Sequence, residues 1–485
     1  MINGVDSGYD GQGQLPERGS IVYAYVLSCV AAVGGLLFGF DIGIINGAIE
    51  FISVEFHLDS MMEGFTVGCV MIGCIFGAMF GGFLSDKFGR KKVLIGTAIG
   101  YTLSAMCSAI PQTWTQLIIA RFVGGLAVGV SSMVSPLYIA EISPARKRGR
   151  LVALNQMTIV TGIMLAYLSD WLLLDVGRPE CGSQIITSLD ASFRSLFGLA
   201  GNTNWRWMLG SETIPAVGLL IGLFFVPDSP RWLTKHGKEA GAMRTLARIN
   251  GREQAGVEME DIKLTLAMEE EKGSVFQLLK PGLRFALLIG VALAVFQQFS
   301  GINNIIFYAT KIFKEAGMDK TASIATVIVG FTNCVLTVIA LAVIDKLGRK
   351  PMLLIGAAGT CIGMILTTLA FQIESLPPIY VLAPVLFYVA SFSFGLGPTV
   401  WVVMAEIFPT DIRGRAMSIA TFSLWFSCYA IAQMFPYLFE IFKEYAFYGF
   451  AATCAMMFFF VWFVVIETKG KTLEEIERSW RIKTT

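Results

Sequence analysis

Two ten-residue stretches decide the architecture: EISPARKRGR, Glu141 to Arg150, and EIFPTDIRGR, Glu406 to Arg415. Glutamate, proline, arginine, glycine and arginine stand at the same offsets in both. A second pair accompanies them, DKFGRKK at 86–92 and DKLGRKP at 345–351. Each member follows an apolar segment at the matching place in its part of the chain. Related motifs at matching positions mark an internal duplication. The chain reads as two homologous halves.

The segments between the motifs are those of a membrane protein. Of 485 residues, 55% are hydrophobic and 15% charged, and the mean hydropathy is +0.65. A soluble chain of that length needs far more polar residues to cover its surface. A spanning helix takes about 20 mainly apolar residues, which gives six candidates in the first half: 21–49, 63–84, 92–110, 115–141, 150–173 and 206–226. Six more follow at 284–311, 321–344, 351–372, 379–407, 415–436 and 446–466. The expected fold is an all-α integral membrane protein of twelve transmembrane helices in two pseudo-symmetric six-helix bundles.

This divides the chain into a polar segment 1–20, a first half 21–226, a linker 227–283, a second half 284–466 and a tail 467–485. The linker alternates apolar and charged residues, as short amphipathic helices on a membrane surface do. The stretch 175–204 reads as a long loop. Residues 1–20 lack the basic start and apolar core of a signal peptide. Basic residues gather after even-numbered spans, at 86–92, 146–150, 345–350 and 413–415 and in the linker, so both termini are expected in the cytoplasm.

Other classes are poorly supported. A net charge of +1, with aromatics confined to apolar runs, argues against nucleic-acid binding. Eight of nine cysteines fall in apolar stretches and only Cys181 in a loop, so no disulfide framework is expected. His57 and His236 are far apart, which leaves no metal-ligand set and no expected cofactor. No nucleophile–base constellation or phosphate loop points to an enzyme.

The basic loops satisfy the positive-inside rule, yet that rule does not explain acids recurring as Asp86 and Asp345, or Glu141 and Glu406. Arg90 and Arg349, beyond a glycine turn, can pair with carboxylates at neighbouring helix ends. With Arg148 and Arg413, these groups are expected to lock the two halves together at the cytoplasmic side. Screened pairs are individually weak, but a network can bias a two-state equilibrium.

Within the seventh span, QQFSGINN supplies Gln297, Gln298, Asn303 and Asn304 around Gly301. Amides suit a ligand whose hydroxyls both donate and accept, although amides also glue membrane helices together. In the tenth span Gly395, Gly397 and Pro398 loosen the helix, as a gate requires. The first span, LLFGFDIGIINGAI, carries Asp41. An acid at mid-bilayer costs about 2.5–3.5 kcal/mol on insertion scales and normally faces a partner or a water path. Arg121 of the fourth span is the candidate partner, with Gly39 and Gly43 letting helices come close. Either the pair is static, or Asp41 alternates between environments and carries a proton. Glu212 of the sixth span can join either the Asp41 network or the cytoplasmic one.

At these motifs the chain resembles the sugar porter family of the major facilitator superfamily. The resemblance is carried by DKFGRKK, PLYIAEISPARKRG (136–149), PDSPRWL (227–233), QQFSGIN (297–303), GPTVW (397–401), EIFPTDIRGR and ETKGKTLEEIE (467–477), in the family's order. Asp228 stands where the family often has Glu, and Ile466 where Pro often precedes Glu-Thr-Lys-Gly. The resemblance implies the major facilitator fold and transport of a monosaccharide through alternating access. It implies sugar contacts from Gln156, Gln297, Gln298, Asn303 and Asn333, with Trp401 and Trp425 packing the ring and Phe38 closing a wall. Ile163, Leu424 and Phe307 replace more polar residues of the family. Ile163 is also compatible with glucose carriers of the family, which tilts the expectation toward glucose or another hexose over xylose.

Proton-coupled members carry Asp at the position of Asp41, whereas facilitative mammalian-type carriers usually carry Asn. The resemblance therefore implies proton symport, with a facilitative uniporter or a non-transporting sugar sensor as alternatives; the short tail after ETKGKTLEEIERSW counts against the sensor. The partners expected are a monosaccharide, a proton and the lipid bilayer, with the chain acting as a monomer in the plasma membrane of a bacterium.

Overall fold

A computed structural model describes residues 19–144, 147–176, 184–199, 202–269, 283–373, 375–408 and 413–470. The first half contains α1 (Ile21–Phe56), α2 (Ser60–Phe88), α3 (Arg90–Ala109), α4 (Trp114–Ile142), α5 (Arg148–Leu173), α6 (Gln184–Phe197), α7 (Asn204–Ser211) and α8 (Thr213–Phe224). The linker holds α9 (Pro230–Lys235), α10 (Glu239–Asn250) and α11 (Arg252–Glu269). The second half holds α12 (Leu283–Phe299), α13 (Ile302–Glu315), α14 (Ala322–Leu347), α15 (Arg349–Gln372), α16 (Leu382–Ser391), α17 (Gly397–Ile407), α18 (Arg413–Phe442) and α19 (Ala446–Phe463).

Eleven helical stretches are long and apolar enough to cross a membrane among the described residues, the last running 50 residues from Gly414 to Phe463. That stretch folds back on itself at Lys443, whose φ is 49°. Phe447 then returns beside Phe439, ring centroids 5.9 Å apart. Twelve spans result, with α7–α8 the sixth, α12–α13 the seventh and α16–α17 the tenth. Apolar side chains face outward, among them Phe83, Ile214, Phe331 and Phe463, as a surface solvated by lipid requires.

Glycines place the helices. Gly35, Gly39, Gly43 and Gly47 recur every fourth residue on α1, and α5 lies against that stripe. A Cβ on Gly39 would fall 1.8 Å from the Ile159 carbonyl oxygen, so any larger residue forces the two helices apart. Gly39 and Gly43 thus serve the α1–α5 contact, whereas the sequence reading assigned them to the approach of Arg121. The halves meet along α2 with α18 and along α5 with α14, second helix against fifth from each side, as a two-fold relation dictates.

The duplication extends to the turns. Gly89 and Gly348, both at φ 95°, end the second span of each half and start the third. After the sixth span of each half an acid returns to cap that third helix. Asp228 accepts from the main-chain N–H of Lys91 at 3.3 Å, and Glu467 accepts from those of Arg349 and Lys350 at 3.0 Å. A carboxylate there satisfies orphan N–H groups and meets the positive end of the helix dipole.

The stretch 175–204 is more than the loop expected of it. It contains α6, held by Asp190, which accepts from Arg194 Nε at 2.7 Å, Thr203 Oγ1 at 2.5 Å and Trp207 Nε1 at 2.9 Å. Cys181 lies outside the described residues.

Candidate functional site

Asp41 sits at the middle of α1, and Arg121 reaches it from α4. Arg121 Nη1 donates to Asp41 Oδ1 at 2.5 Å and Nη2 to the Asp41 main-chain oxygen at 3.3 Å. Both side chains are buried, at 1% and 2% exposure, so neither charge is hydrated and each depends on the other. Glu212, at the α7–α8 junction, is buried beside the pair. Two carboxyls therefore share one guanidinium. The Asp41 and Glu212 carboxyls are within hydrogen-bond reach of one another, and Arg121 Nε has no partner, which leaves donor capacity inside the cluster. Gly124, one turn past Arg121, lets Ser104 of α3 pack against α4: a Cβ there would stand 2.5 Å from Ser104 Oγ.

The amide cluster is built on a broken helix. Gly301 takes φ 91°, a left-handed conformation that ends α12 and starts α13. The break turns Asn303 back so that its Nδ2 donates to Gln298 Oε1 and lies 3.1 Å from Cys428 Sγ. Opposite, residues 392–396 form a π-helical segment ahead of Pro398, which frees main-chain carbonyls. Gln297 Nε2 donates to two of them, Leu396 O at 3.0 Å and Gly397 O at 3.2 Å. Asn333 Oδ1 accepts from Ser393 Oγ of the same segment at 2.9 Å.

The structure thus connects Gln297, Gln298, Asn303 and Asn333 through one polar chain across α12, α13, α14 and the π segment. Trp425, one turn before Cys428, stacks obliquely on Phe38 of α1 with centroids 5.5 Å apart, which carries the site across to the first half. Its Nε1 is buried without a partner, as are both amide atoms of Asn304. Trp401 and Gln156 are partly exposed. Ile163 is buried where α5 crosses Gly43.

At the end of the molecule bearing the repeated motifs, the two arginines behave identically. Arg90 makes a forked pair with Glu141, Nε to Oε2 and Nη2 to Oε1, both at 2.9 Å. Arg349 does the same with Glu406 at 3.2 and 2.8 Å. Each also pairs with the aspartate four residues earlier, Asp86 at 3.1 Å and Asp345 at 3.0 Å. Every one of these pairs lies inside a single half, so in this conformation they fasten helix ends within a bundle and do not join the bundles as expected. Arg148 is exposed at the start of α5; the side chain of Arg413 lies outside the described residues.

Residues 27–480 match the profile of the family described as "Sugar (and other) transporter". The chain belongs to the sugar transporter family. This transporter is 40% identical over 463 residues to the arabinose-proton symporter of Bacillus subtilis (strain 168), covering 95% of this chain and 96% of that one. It is 36% identical over 498 residues to the D-xylose-proton symporter of Escherichia coli (strain K12), with 95% and 96% covered. Its fold superposes on the xylose transporter XylE from E. coli in a partially occluded inward-open conformation with a TM-score of 0.79, 34% identity, and 93% and 100% of the two chains covered.

The polar contacts between the transporter's halves gather toward the end opposite the repeated motifs. Lys311 of α13 pairs with Glu63 of α2 at 2.7 Å, and Lys314 pairs with Glu50 of α1. Asn46 Nδ2 donates to Ile306 O at 2.8 Å and its Oδ1 accepts from Thr310 N at 3.1 Å. Gln433 Nε2 donates to Met61 O at 2.7 Å. Sequence reasoning missed this seal, since its residues look like ordinary loop-edge charges. It also passed over Asp170, buried in α5, although an acid in an apolar run (YLSDWLLL) is the signal that singled out Asp41.

Proposed function

We propose that this chain imports a monosaccharide together with a proton by alternating access. The observation that carries the reading is the buried trio Asp41, Arg121 and Glu212. One arginine neutralises one carboxylate, so the second acid is stable only with a proton on it. Such a cluster holds one proton while it is closed from water and gives it up when water reaches and hydrates the second carboxylate. The relatives named as arabinose- and xylose-proton symporters support this role, as does the presence of Asp at position 41.

Sugar hydroxyls are received by Gln298 and Asn303, whose mutual hydrogen bond is exchanged for bonds to sugar, and by the spare Nε1 of Trp425. Gln156 of α5 adds a further amide, while Phe38, Trp401 and Trp425 cover the apolar ring face. Gln297 and Asn333 hold the π segment, so sugar binding at the adjacent amides is transmitted to the bending point of the tenth span. The motif end faces the cytoplasm with both termini, in a bacterial plasma membrane, and the opposite end is the outer one. The conformation described is then closed outside.

The test is uptake in proteoliposomes with and without a proton gradient. Sugar-induced alkalinisation of the outer medium is expected from the wild type and absent in Asp41→Asn, while sugar exchange persists. Accumulation unaffected by an uncoupler refutes symport. Competition among labelled pentoses and hexoses then decides whether Ile163 signals a hexose carrier.

A further inference from the structure

The proton cluster does not account for Asp170. It lies near the outer end of α5 and is buried. Its Oδ2 accepts from the main-chain N–H of Gly47 in α1 at 2.9 Å, and its Oδ1 is buried without a partner. The contact is close by construction: a Cβ on Gly47 would stand 2.5 Å from Asp170 Cγ.

The charges on the surrounding elements are committed elsewhere. Glu50 of α1 pairs with Lys314 of α13, and Glu55 of α1 with Arg206 of α7 at 2.6 Å. Lys311 of α13 pairs with Glu63. Helix α14 carries no charged residue between Ala322 and Ile344. On α5 itself the titratable neighbour is Tyr167, whose hydroxyl donates to Ile306 O at 2.8 Å. Among the described residues, Asp170 thus has one N–H and no cation. A buried carboxylate so placed is strongly disfavoured against the neutral acid.

Its position is within the outer seal. Asn46 and Gly47 are consecutive on α1: Asn46 binds Ile306 and Thr310 of α13, and Gly47 binds Asp170 of α5. Tyr167, one turn before Asp170, binds the same Ile306 carbonyl as Asn46. Three helices from the two halves close on one another around this carboxyl. Separation of the halves at this end withdraws α13 and admits water to it.

We infer that Asp170 is a second proton-binding group, loaded when the outer end closes and discharged when it opens. The inference rests on the transport reading above. Opening releases one proton from the Asp170 carboxyl to the outer water and leaves a carboxylate; closing takes one proton back from the same side. No proton crosses the membrane by this group. It instead makes closure depend on outer pH, apart from the proton carried at Asp41. Above the ordinary carboxyl range, near pH 4, each pH unit lowers the ratio of closed to open by about tenfold.

Sugar counterflow in proteoliposomes, at equal pH on both sides, tests this in an Asp41→Asn background that silences the coupled proton. Counterflow is expected to fall steeply as pH rises from about 6 to 9, and to become flat in Asp41→Asn/Asp170→Asn, where the amide keeps the acceptor for Gly47 and cannot titrate. A flat profile in Asp41→Asn, or a decline that persists in the double variant, overturns the inference. Infrared spectroscopy gives a second readout if Asp170→Asn fails to fold. Purified Asp41→Asn/Glu212→Gln protein should retain a protonated-carboxyl carbonyl band at neutral pH, and its absence likewise overturns the inference. Absence of counterflow in the wild type for every sugar refutes the transport reading instead, and the infrared band still decides the state of Asp170.

Discussion

Replacing Lys311 by alanine should open the end opposite the repeated motifs. Glu63 and Lys311 join α2 to α13 at 2.7 Å, with side chains 10% and 29% exposed. At an effective dielectric constant of about 20, attraction at that distance is about 6 kcal/mol before costs. Desolvation and side-chain ordering return most of it. Fully exposed pairs are worth under about 1 kcal/mol, and breaking a buried pair costs about 3–5 kcal/mol. With exposures between those limits, about 2 kcal/mol is reasonable. Lys311→Ala leaves Glu63 with only the Ser53 hydroxyl at 3.3 Å in the closed state, whereas in the open state water hydrates it. The equilibrium should therefore move toward the form open at this end by about 30-fold. Spin labels at Val54→Cys on α1 and Ile379→Cys, in the turn after α15, report the separation of the halves at this end. The long-distance population should grow in Lys311→Ala and return part-way in Lys311→Ala/Glu63→Ala, where no unpaired charge is left behind. An unchanged distance distribution refutes the assignment of this pair to the seal.

Two further outcomes follow from single contacts. Gln297→Leu strips the Leu396 and Gly397 carbonyls of their donor; it should cost about 1–3 kcal/mol of stability in a melting curve. It should also weaken sugar binding about tenfold by calorimetry, and unchanged values in both refute the link between the amide cluster and the π segment. For Glu467, burial pushes the carboxyl up, but the main-chain N–H groups of Lys469, Arg349, Lys350 and Thr468 outweigh this and hold it below the usual glutamate value. Its stabilisation is therefore complete above the unfolded value near 4.5 and is lost as pH falls through the lower folded value. The melting-temperature gap between wild type and Glu467→Gln should be constant from neutral pH down to about 5 and should close below about 4.

What was legible in the sequence is what depends on local pattern. Apolar length gave the spans, and the spacing of Asp86, Arg90 and Glu141 against Asp345, Arg349 and Glu406 gave the duplication and the pairing of each arginine with a carboxylate at a neighbouring helix end, but not that each pair stays inside one half. Gly301 beside four amides announced a helix break, and FGLGP announced the loosened tenth span. What was not legible depends on distant residues meeting. Asp228 and Glu467 are conspicuous in PDSPRWL and ETKG, but their role as equivalent caps appears only once the sixth span of each half returns to the start of the third. Gly39 and Gly43 share a stripe with Gly35 and Gly47, yet only packing shows that the stripe faces α5 and not α4. Helix α6 was read as loop because its anchors, Thr203 and Trp207, lie beyond its own end.

The same contacts limit where the molecule can bend. Arg90 and Arg349 are each fixed to a carboxylate in their own half, to the aspartate a turn earlier, and to a main-chain carbonyl five residues back. The caps at Asp228 and Glu467 stiffen the same hairpins, and the α1–α5 glycine stripe leaves no gap for those helices to slide. Each half is thereby held as a unit at the motif end. Gly301 and the π segment 392–396 both interrupt the regular hydrogen-bond ladder of their spans, and both are tied to Gln297, the former through Gln298. Bending at either place is therefore coupled to the amide cluster of Gln297, Gln298 and Asn303. Asp41, on the helix that also carries Phe38 and Asn46, is linked to the Phe38–Trp425 contact and to the inter-half contacts of Asn46 along a single helix.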